Sequence, residues 1–245
     1  MPAARRIYIP ARMDSKRFPG KPLVDIAGKP LLRRTYDTAL LCGADSIHVV
    51  TPDKEIEEYC RRNGIPVFFD DTQQHANGTS RVMAAAAKLH AGPSGVAPDV
   101  VINWQVDEPL INAFDVQRMM ESNSHVISTL VADRPSIFNP ASLVTVRVSR
   151  GYCRWFSRVP PANDAPQPLA HIGIYRFSRC IPNLGEIDDC PWAQHEDLEQ
   201  LAWIEKGWTI EAIQSKDEFP PPSVNTPEDA SVVSRIYEEE NDTWR

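Results

Sequence analysis

The chain has 245 residues, 42% hydrophobic and 24% charged, with a formal net charge of −7. It is long enough to bury a sizeable core, and its composition suits a soluble globular protein. It holds no apolar run near the ~20 residues of a membrane span, and its acidic balance argues against nonspecific nucleic-acid binding.

The N-terminal "MPAARRIYIPARM" has no apolar core of signal-peptide length, so the expected location is the cytoplasm. The five cysteines, Cys42, Cys60, Cys153, Cys180 and Cys190, are odd in number and lack C-x-x-C spacing. Reduced thiols in or near the core are expected, not disulfides or a zinc site.

In chain order, "RRIYI" reads as a strand and "KPLLRRTYDTALLCG" as a helix stopped by Gly43. "SIHVVT" is a strand and "KEIEEYCRRNG" a helix with Ile56, Tyr59 and Cys60 on one face. "IPVFF" is a short strand, and "TSRVMAAAAKLHAG" a helix with Val82, Ala85, Ala86 and Leu89 at helical spacing. "DVVINWQ" is a strand buried on both faces. Such alternation implies an α/β protein with a parallel sheet.

From about residue 125, "HVISTLVA", "SLVTVRVS", "RWFSRV" and "AHIGIYRF" follow one another with little helix between them, which predicts antiparallel pairing added to the parallel core. "HEDLEQLAWIEKG" predicts a helix and "WTIEAI" a strand. Thr226, Pro227, Glu228 and Asp229 start the last helix, as a capping threonine, an N1 proline and first-turn acids.

Open α/β sheets bind ligands beyond the carboxyl ends of their strands. Three loops fall there: "IPARMDSKRFPGKPL", "WQVDEPL" and "SVNTPED". The first carries Arg12, Lys16, Arg17 and Lys21 among Pro10, Pro19, Gly20 and Pro22. It matches neither a Walker loop nor G-x-G-x-x-G. Two readings stand: a polyphosphate cradle of cations and backbone amides, or a solvated basic loop. In the second loop, Asp107 and Glu108 sit just past the end of a buried strand, where a carboxylate is either a magnesium ligand facing the basic loop or a turn-forming acid. By themselves His171 reads as a core histidine, Glu199 and Gln200 as a solvated helix face, and Trp104 and Trp155 as packing.

The segments "IPARMDSKRFPGKPL", "NGTSR", "WQVDEPLI", "FNP", "WFSRVP", "HIGIY", "EDLEQL" and "VNTPED" occur in the order of the motifs of the CMP-KDO synthetases (3-deoxy-manno-octulosonate cytidylyltransferases), which the chain resembles from Ile9 to Asp229. The resemblance implies a Rossmann-like nucleotidyltransferase fold: a mixed, mainly parallel sheet flanked by helices, with a smaller antiparallel subdomain. It implies one domain over 1–245, in which 1–124 and 208–245 form the CTP-binding core and 125–207 the acceptor-binding and dimerisation part. It further implies transfer of CMP from CTP to an acidic sugar with release of pyrophosphate, Mg²⁺ as cofactor, a homodimer, and no nucleic-acid or membrane partner.

Residue by residue, the resemblance places Arg12 and Lys21 on the triphosphate, with Ala11, Ser15 and Arg17 in the same loop. Gly78, Thr79, Arg81 and Gln105 hold the nucleotide. Asp107 binds the metal, with Asn225 as a second ligand. Arg158, His171, Tyr175, Glu199 and Gln200 line the acceptor pocket, Arg158 and His171 gripping the acceptor's acid.

Three positions depart from the family pattern. Ser80 stands in place of Asp or Glu in G-T-[DE]-R, Val106 in place of Gly in Q-G-D-E-P, and Asn225 in place of Asp in [VI]-D-T-P-E-D. An amide oxygen can coordinate Mg²⁺ but brings no negative charge. A multiply charged acceptor, such as the phosphonoformate used by relatives in phosphonate pathways, could complete the metal shell. The short "VPPANDAPQPLAHIG" loop is consistent with an altered acceptor pocket. A catalytically inactive nucleotide-binding homologue is the alternative of another class.

Overall fold

A computed structural model describes residues 4–72, 75, 77–90, 100–122, 127–135, 143–159, 167–178, 181, 184 and 190–242. The "FNP" motif, most of the proline-rich loop after Val159, and Cys180 lie outside them. In chain order the first half forms β1 (Arg5–Pro10), a 3-10 turn (Lys21–Leu23), the small hairpin β2 (Asp25–Ile26) and β3 (Lys29–Pro30), α1 (Leu31–Leu40), β4 (Ser46–Thr51), α2 (Lys54–Arg62), β5 (Val67–Phe69), α3 (Gly78–His90), β6 (Val100–Trp104) and α4 (Ala113–Glu121). The second half forms β7 (Ile127–Ala132), β8 (Thr145–Ser149), β9 (Tyr152–Ser157), β10 (Leu169–Phe177), α5 (Pro191–Glu196), α6 (Glu199–Glu205), β11 (Ile210–Gln214) and α7 (Pro227–Asp242).

Among the described residues nine strands make one mixed sheet in the order β5-β4-β1-β6-β10-β7-β11-β9-β8. The first four are mutually parallel, as their unbroken apolar runs require. β10 lies antiparallel between β6 and β7 and joins the two halves into one sheet. Side chains alternate across β1: Ile7 and Ile9 enter the core on one face, and Tyr8 enters the core on the other.

The structure differs from the sequence reading at three places. The single helix expected over "HEDLEQLAWIEKG" is two short helices, because Asp197 takes the left-handed conformation (φ 53°, ψ 48°) between α5 and α6. The helix α4 was not anticipated. Its signals are an Asn112 cap, whose side chain accepts from the Phe114 amide, and Val116, Met119 and Met120 on one face. β11, expected with the CTP-binding half, pairs with β7 in parallel and with β9 antiparallel.

The described cysteines Cys42, Cys60, Cys153 and Cys190 are buried free thiols. Among the described residues no helix is long and apolar enough to cross a membrane.

Candidate active site

A cleft of about 810 Å³ opens where the loops after β1 and β6 meet the start of α3, the bend between α5 and α6, and the loop before α7. Backbone bonds shape the basic loop. The Met13 amide donates to Asp53 Oδ2 (2.8 Å), and the Gly20 amide donates to the Met13 carbonyl (2.9 Å). Gly20 sits at φ 75°, a value that glycine reaches without Cβ strain, and it turns the chain into the 3-10 segment that begins with Lys21. A small core of Ile26, Leu31, Val224, Ala230 and Val233 clamps α7 against this segment. That clamp brings Asn225, more than 200 positions away, within 2.8 Å of Arg17, whose guanidinium donates to the Asn225 amide oxygen.

The second loop is held as firmly. Thr35 and Thr38 of α1 donate to the carbonyls of Val106 (2.7 Å) and Pro109 (2.8 Å). The Trp104 indole donates to the Glu108 carbonyl at 2.9 Å, so this residue does more than pack. The Val224 amide donates to the Asp107 carbonyl at 2.8 Å and ties the third loop on. At the centre Lys21 Nζ donates to Asp107 Oδ2 at 2.6 Å.

Cations gather on the side of the basic loop. Arg12, Lys16, Arg17, Lys21 and Arg81 all line the cleft. Arg81 is 5% exposed, and its Nε has no hydrogen-bond partner among the described residues. Burial, with the nearby Arg12 charge, holds its pKa below the usual guanidinium value. A buried donor beside a like charge is costly, and an anion in the cleft relieves both costs. Gly78 opens α3 so close to its neighbours that a Cβ there would lie 3.3 Å from Pro10 Cγ and 3.4 Å from Gln105 Oε1.

Two of the expected nucleotide residues stand behind the wall. Ala11 is buried, and its amide donates to the Val50 carbonyl at 3.0 Å. Thr79 is fully buried: its hydroxyl donates to Glu199 Oε1 (2.7 Å) and accepts from Asn103 Nδ2 (2.9 Å). Neither side chain touches the cleft.

The far end of the cleft is rich in acceptors. Glu199 Oε2 and Gln200 Oε1 are buried with no hydrogen-bond partner among the described residues. Burial raises the Glu199 pKa to about 7, against the Thr79 bond, which lowers it. Gln200 Nε2 donates to the Tyr175 hydroxyl, and the Tyr175 ring stacks on His171 with centroids 5.5 Å apart.

His171, expected beside Arg158 at the acceptor's acid, carries no charge of its own. Burial, helped by the Arg158 charge, pushes its pKa down to about 3, so the ring is neutral at ordinary pH. Its Nε2 lies 2.9 Å from Thr129 Oγ1, whose one proton goes to the Ile174 carbonyl at 2.7 Å. Nε2 therefore carries the ring proton and Nδ1 is an acceptor. The cation at this end is Arg158, whose guanidinium donates to the Glu196 and Asp197 carbonyls (3.2 and 3.5 Å) and whose backbone amide donates to Glu196 Oε2 (3.0 Å).

Glu108 was named in the sequence only as a strand-end acid. The structure half-buries it on the cleft wall beside Asp107 and against Gly173, whose amide donates to its carboxyl, at a shift in the pairing register of β10 with β7. Burial first, then the Asp107 charge, raises its pKa well above the carboxylate range, with Lys21 and the Gly173 amide opposing.

Residues 7–213 match the family model described as cytidylyltransferase. The chain is 35% identical to the 3-deoxy-manno-octulosonate cytidylyltransferase of Vibrio cholerae serotype O1, over 95% of this chain and 97% of that one. It belongs to the CMP-KDO synthetase family of cytidylyltransferases. The mitochondrial 3-deoxy-manno-octulosonate cytidylyltransferase of Arabidopsis thaliana is 36% identical over 95% of this chain and 83% of its own. The solved structure of CMP:2-keto-3-deoxy-manno-octonic acid synthetase complexed with CTP superposes with a TM-score of 0.81 at 30% identity, covering 97% of this chain and 100% of that one. An inositol-1-phosphate CTP transferase from T. maritima, 13% identical with a TM-score of 0.67, shares the fold.

The positions that depart from the CMP-KDO synthetase pattern find local reasons. Ser80 closes a reciprocal cap with Asn77: Asn77 Oδ1 accepts from the Ser80 amide (2.9 Å), and Ser80 Oγ accepts from the Asn77 amide (3.2 Å). Val106 sits in the core with a negative φ, so its backbone does not require glycine. The Asn225 amide nitrogen donates to Ser223 Oγ at 3.0 Å, which orients its oxygen toward Arg17.

Proposed function

We propose that this cytidylyltransferase transfers CMP from CTP to KDO or a closely related sugar acid and releases pyrophosphate. The observation that carries the choice of acceptor is the pair of buried, unpartnered oxygens, Glu199 Oε2 and Gln200 Oε1. They call for hydrogen-bond donors from the ligand. A polyhydroxylated sugar acid supplies donors, and its carboxylate suits Arg158. Fully ionised phosphonoformate offers acceptors alone, leaves Gln200 Oε1 without a donor, and repels the ionised form of Glu199.

In this reading the acceptor hydroxyl oxygen attacks the α-phosphorus of CTP, and the bond from that phosphorus to the pyrophosphate oxygen breaks. Catalysis is positioning and charge neutralisation, with no covalent enzyme intermediate. Arg12 and Lys21 take the leaving pyrophosphate, and Arg81 the remaining phosphate charge. Ser15, Arg17, Gly78 and Gln105 shape the nucleotide site. Tyr175 and neutral His171 form the floor under the acceptor.

Among the described residues no three His, Cys, Asp or Glu side chains are grouped to hold a metal ion. A carboxylate at Asp107 and an amide oxygen at Asn225 fit a magnesium ion that shares its shell with phosphate oxygens and water, as this cation prefers. Bound there, the ion would neutralise charge building on the transferred phosphoryl group. In this structure both protein oxygens are bonded to cationic side chains, Lys21 and Arg17, which a bound ion would displace toward the phosphates.

The test is pyrophosphate release from CTP and Mg²⁺ with KDO and, separately, phosphonoformate. Turnover with KDO is expected. Turnover with phosphonoformate alone would overturn the choice of acceptor, and none with any acidic acceptor would overturn the enzymatic reading.

A further inference from the structure

Four side chains run in file from the acceptor end of the cleft to the nucleotide end. Thr79 Oγ1 donates to Glu199 Oε1 (2.7 Å), Asn103 Nδ2 donates to Thr79 Oγ1 (2.9 Å), and Gln105 Nε2 donates to Asn103 Oδ1 (3.1 Å). Thr79 and Asn103 are fully buried behind the wall, while Glu199 and Gln105 line the cleft. Asn103 lies on β6, Thr79 in the first turn of α3, and Glu199 at the start of α6.

With the Glu199 carboxylate ionised, the direction of this file follows from proton counting. A threonine hydroxyl has one proton. Glu199 Oε1 accepts it whether the carboxyl is ionised or carries its proton on Oε2, the oxygen without a partner among the described residues. Thr79 can then only accept from Asn103, so the asparagine must turn its NH₂ toward Thr79 and its oxygen toward Gln105. Gln105 in turn spends an N–H on Asn103. Its Oε1 has no donor among the described residues and lies beside Gly78, at the cleft.

We infer that Glu199, Thr79 and Asn103 form a polarised relay that fixes the Gln105 amide with its oxygen toward the bound nucleotide, so that the site selects a nucleotide group that donates a hydrogen bond. Asn103 and Thr79 are positioning residues, since they act on the ligand through Gln105. The relay rests on the reading of this cleft as the CTP site. Two groups of CTP have the required chemistry, the cytosine amino group and the ribose hydroxyls. UTP replaces the first by a carbonyl, and 2′-deoxy-CTP and 3′-deoxy-CTP each remove one of the second.

The experiment measures kcat/KM for CTP, UTP, 2′-deoxy-CTP and 3′-deoxy-CTP with KDO, in the wild type and in Thr79→Val, Asn103→Leu and Thr79→Ser. Thr79→Val keeps the side-chain shape and cuts the relay; Thr79→Ser restores the hydroxyl. In both relay-cutting variants the preference for CTP over UTP, or over at least one deoxynucleotide, is expected to fall roughly five- to tenfold, the scale of one discriminating hydrogen bond. Thr79→Ser is expected to retain it. The arm that changes identifies the donor. Unchanged ratios in every arm, with only KM or thermal stability altered, would overturn the relay while leaving the CTP site standing. A wild type that fails to use CTP would overturn both. Circular dichroism of each variant separates loss of fold from loss of selectivity.

Discussion

Replacing Glu199 by glutamine should change the pH dependence of folding stability in a calculable way. Its carboxyl titrates at about 7 in the folded chain against an ordinary 4.5, chiefly because burial disfavours the charged form. Below about pH 4.5 the group is protonated in both folded and unfolded chains and costs nothing. As pH rises the unfolded chain ionises first, so stability is lost progressively from about 4.5 through about 7 and the loss is complete above that. A rise from 4.5 to about 7, at about 1.4 kcal/mol per pH unit, amounts to about 3 kcal/mol. Glutamine keeps an oxygen for the Thr79 hydroxyl and has no ionisation. Stability of Glu199→Gln relative to wild type should therefore rise by about 3 kcal/mol between pH 4.5 and 8.5. Urea unfolding of both proteins across that range measures it, since every other titrating group is common to the two and cancels. A stability difference that stays constant within about 0.5 kcal/mol from pH 4.5 to 8.5 would refute the assignment of a buried, proton-binding carboxyl at this position.

Gly173→Ala places a Cβ 3.0 Å from Glu108 Oε1. The displaced carboxyl should cost about 1–3 kcal/mol and lower turnover through its neighbour Asp107, read by thermal melting and kcat; wild-type values for both would count against the close packing. Arg81→Met removes a buried guanidinium with an unpartnered nitrogen, so stability should hold or rise while CTP affinity falls by about tenfold or more, seen by calorimetric titration; retained affinity would mean that Arg81 does not face the triphosphate. Asp107→Ala should abolish magnesium-dependent turnover with the fold intact by circular dichroism. Asn225→Asp adds a charge to the proposed metal shell and should lower the magnesium concentration for half-maximal rate; an unchanged titration would direct the side chain elsewhere.

The alternation of apolar strands and capped helices, and the placing of chemistry in three loops, were legible because they depend on local patterns: burial periodicity, turn residues and cap chemistry. The cap at Thr226 and Asp229 appears as read, each side chain accepting from the other's amide (3.2 and 2.9 Å). The break at Asp197 was hidden, because a lone aspartate in the left-handed region has no periodic signature. Glu199 and Gln200 show why residue type alone is a poor guide. On a helix face they read as solvated, and the docking of α6 over the sheet buries the atoms that matter.

By itself the amino-acid order determined the α/β class, the basic loop after the first strand, the family and the residues that its motifs share. Only the tertiary structure decided that Lys21 pairs with Asp107, that His171 is neutral, that Thr79 stands behind the wall, and that Glu108 packs against Gly173. The physical reason is distance along the chain. Charge state and hydrogen-bond direction depend on neighbours brought together from positions 42 to 120 residues apart, such as Thr129 with His171 and Thr79 with Glu199, and no local pattern encodes those meetings.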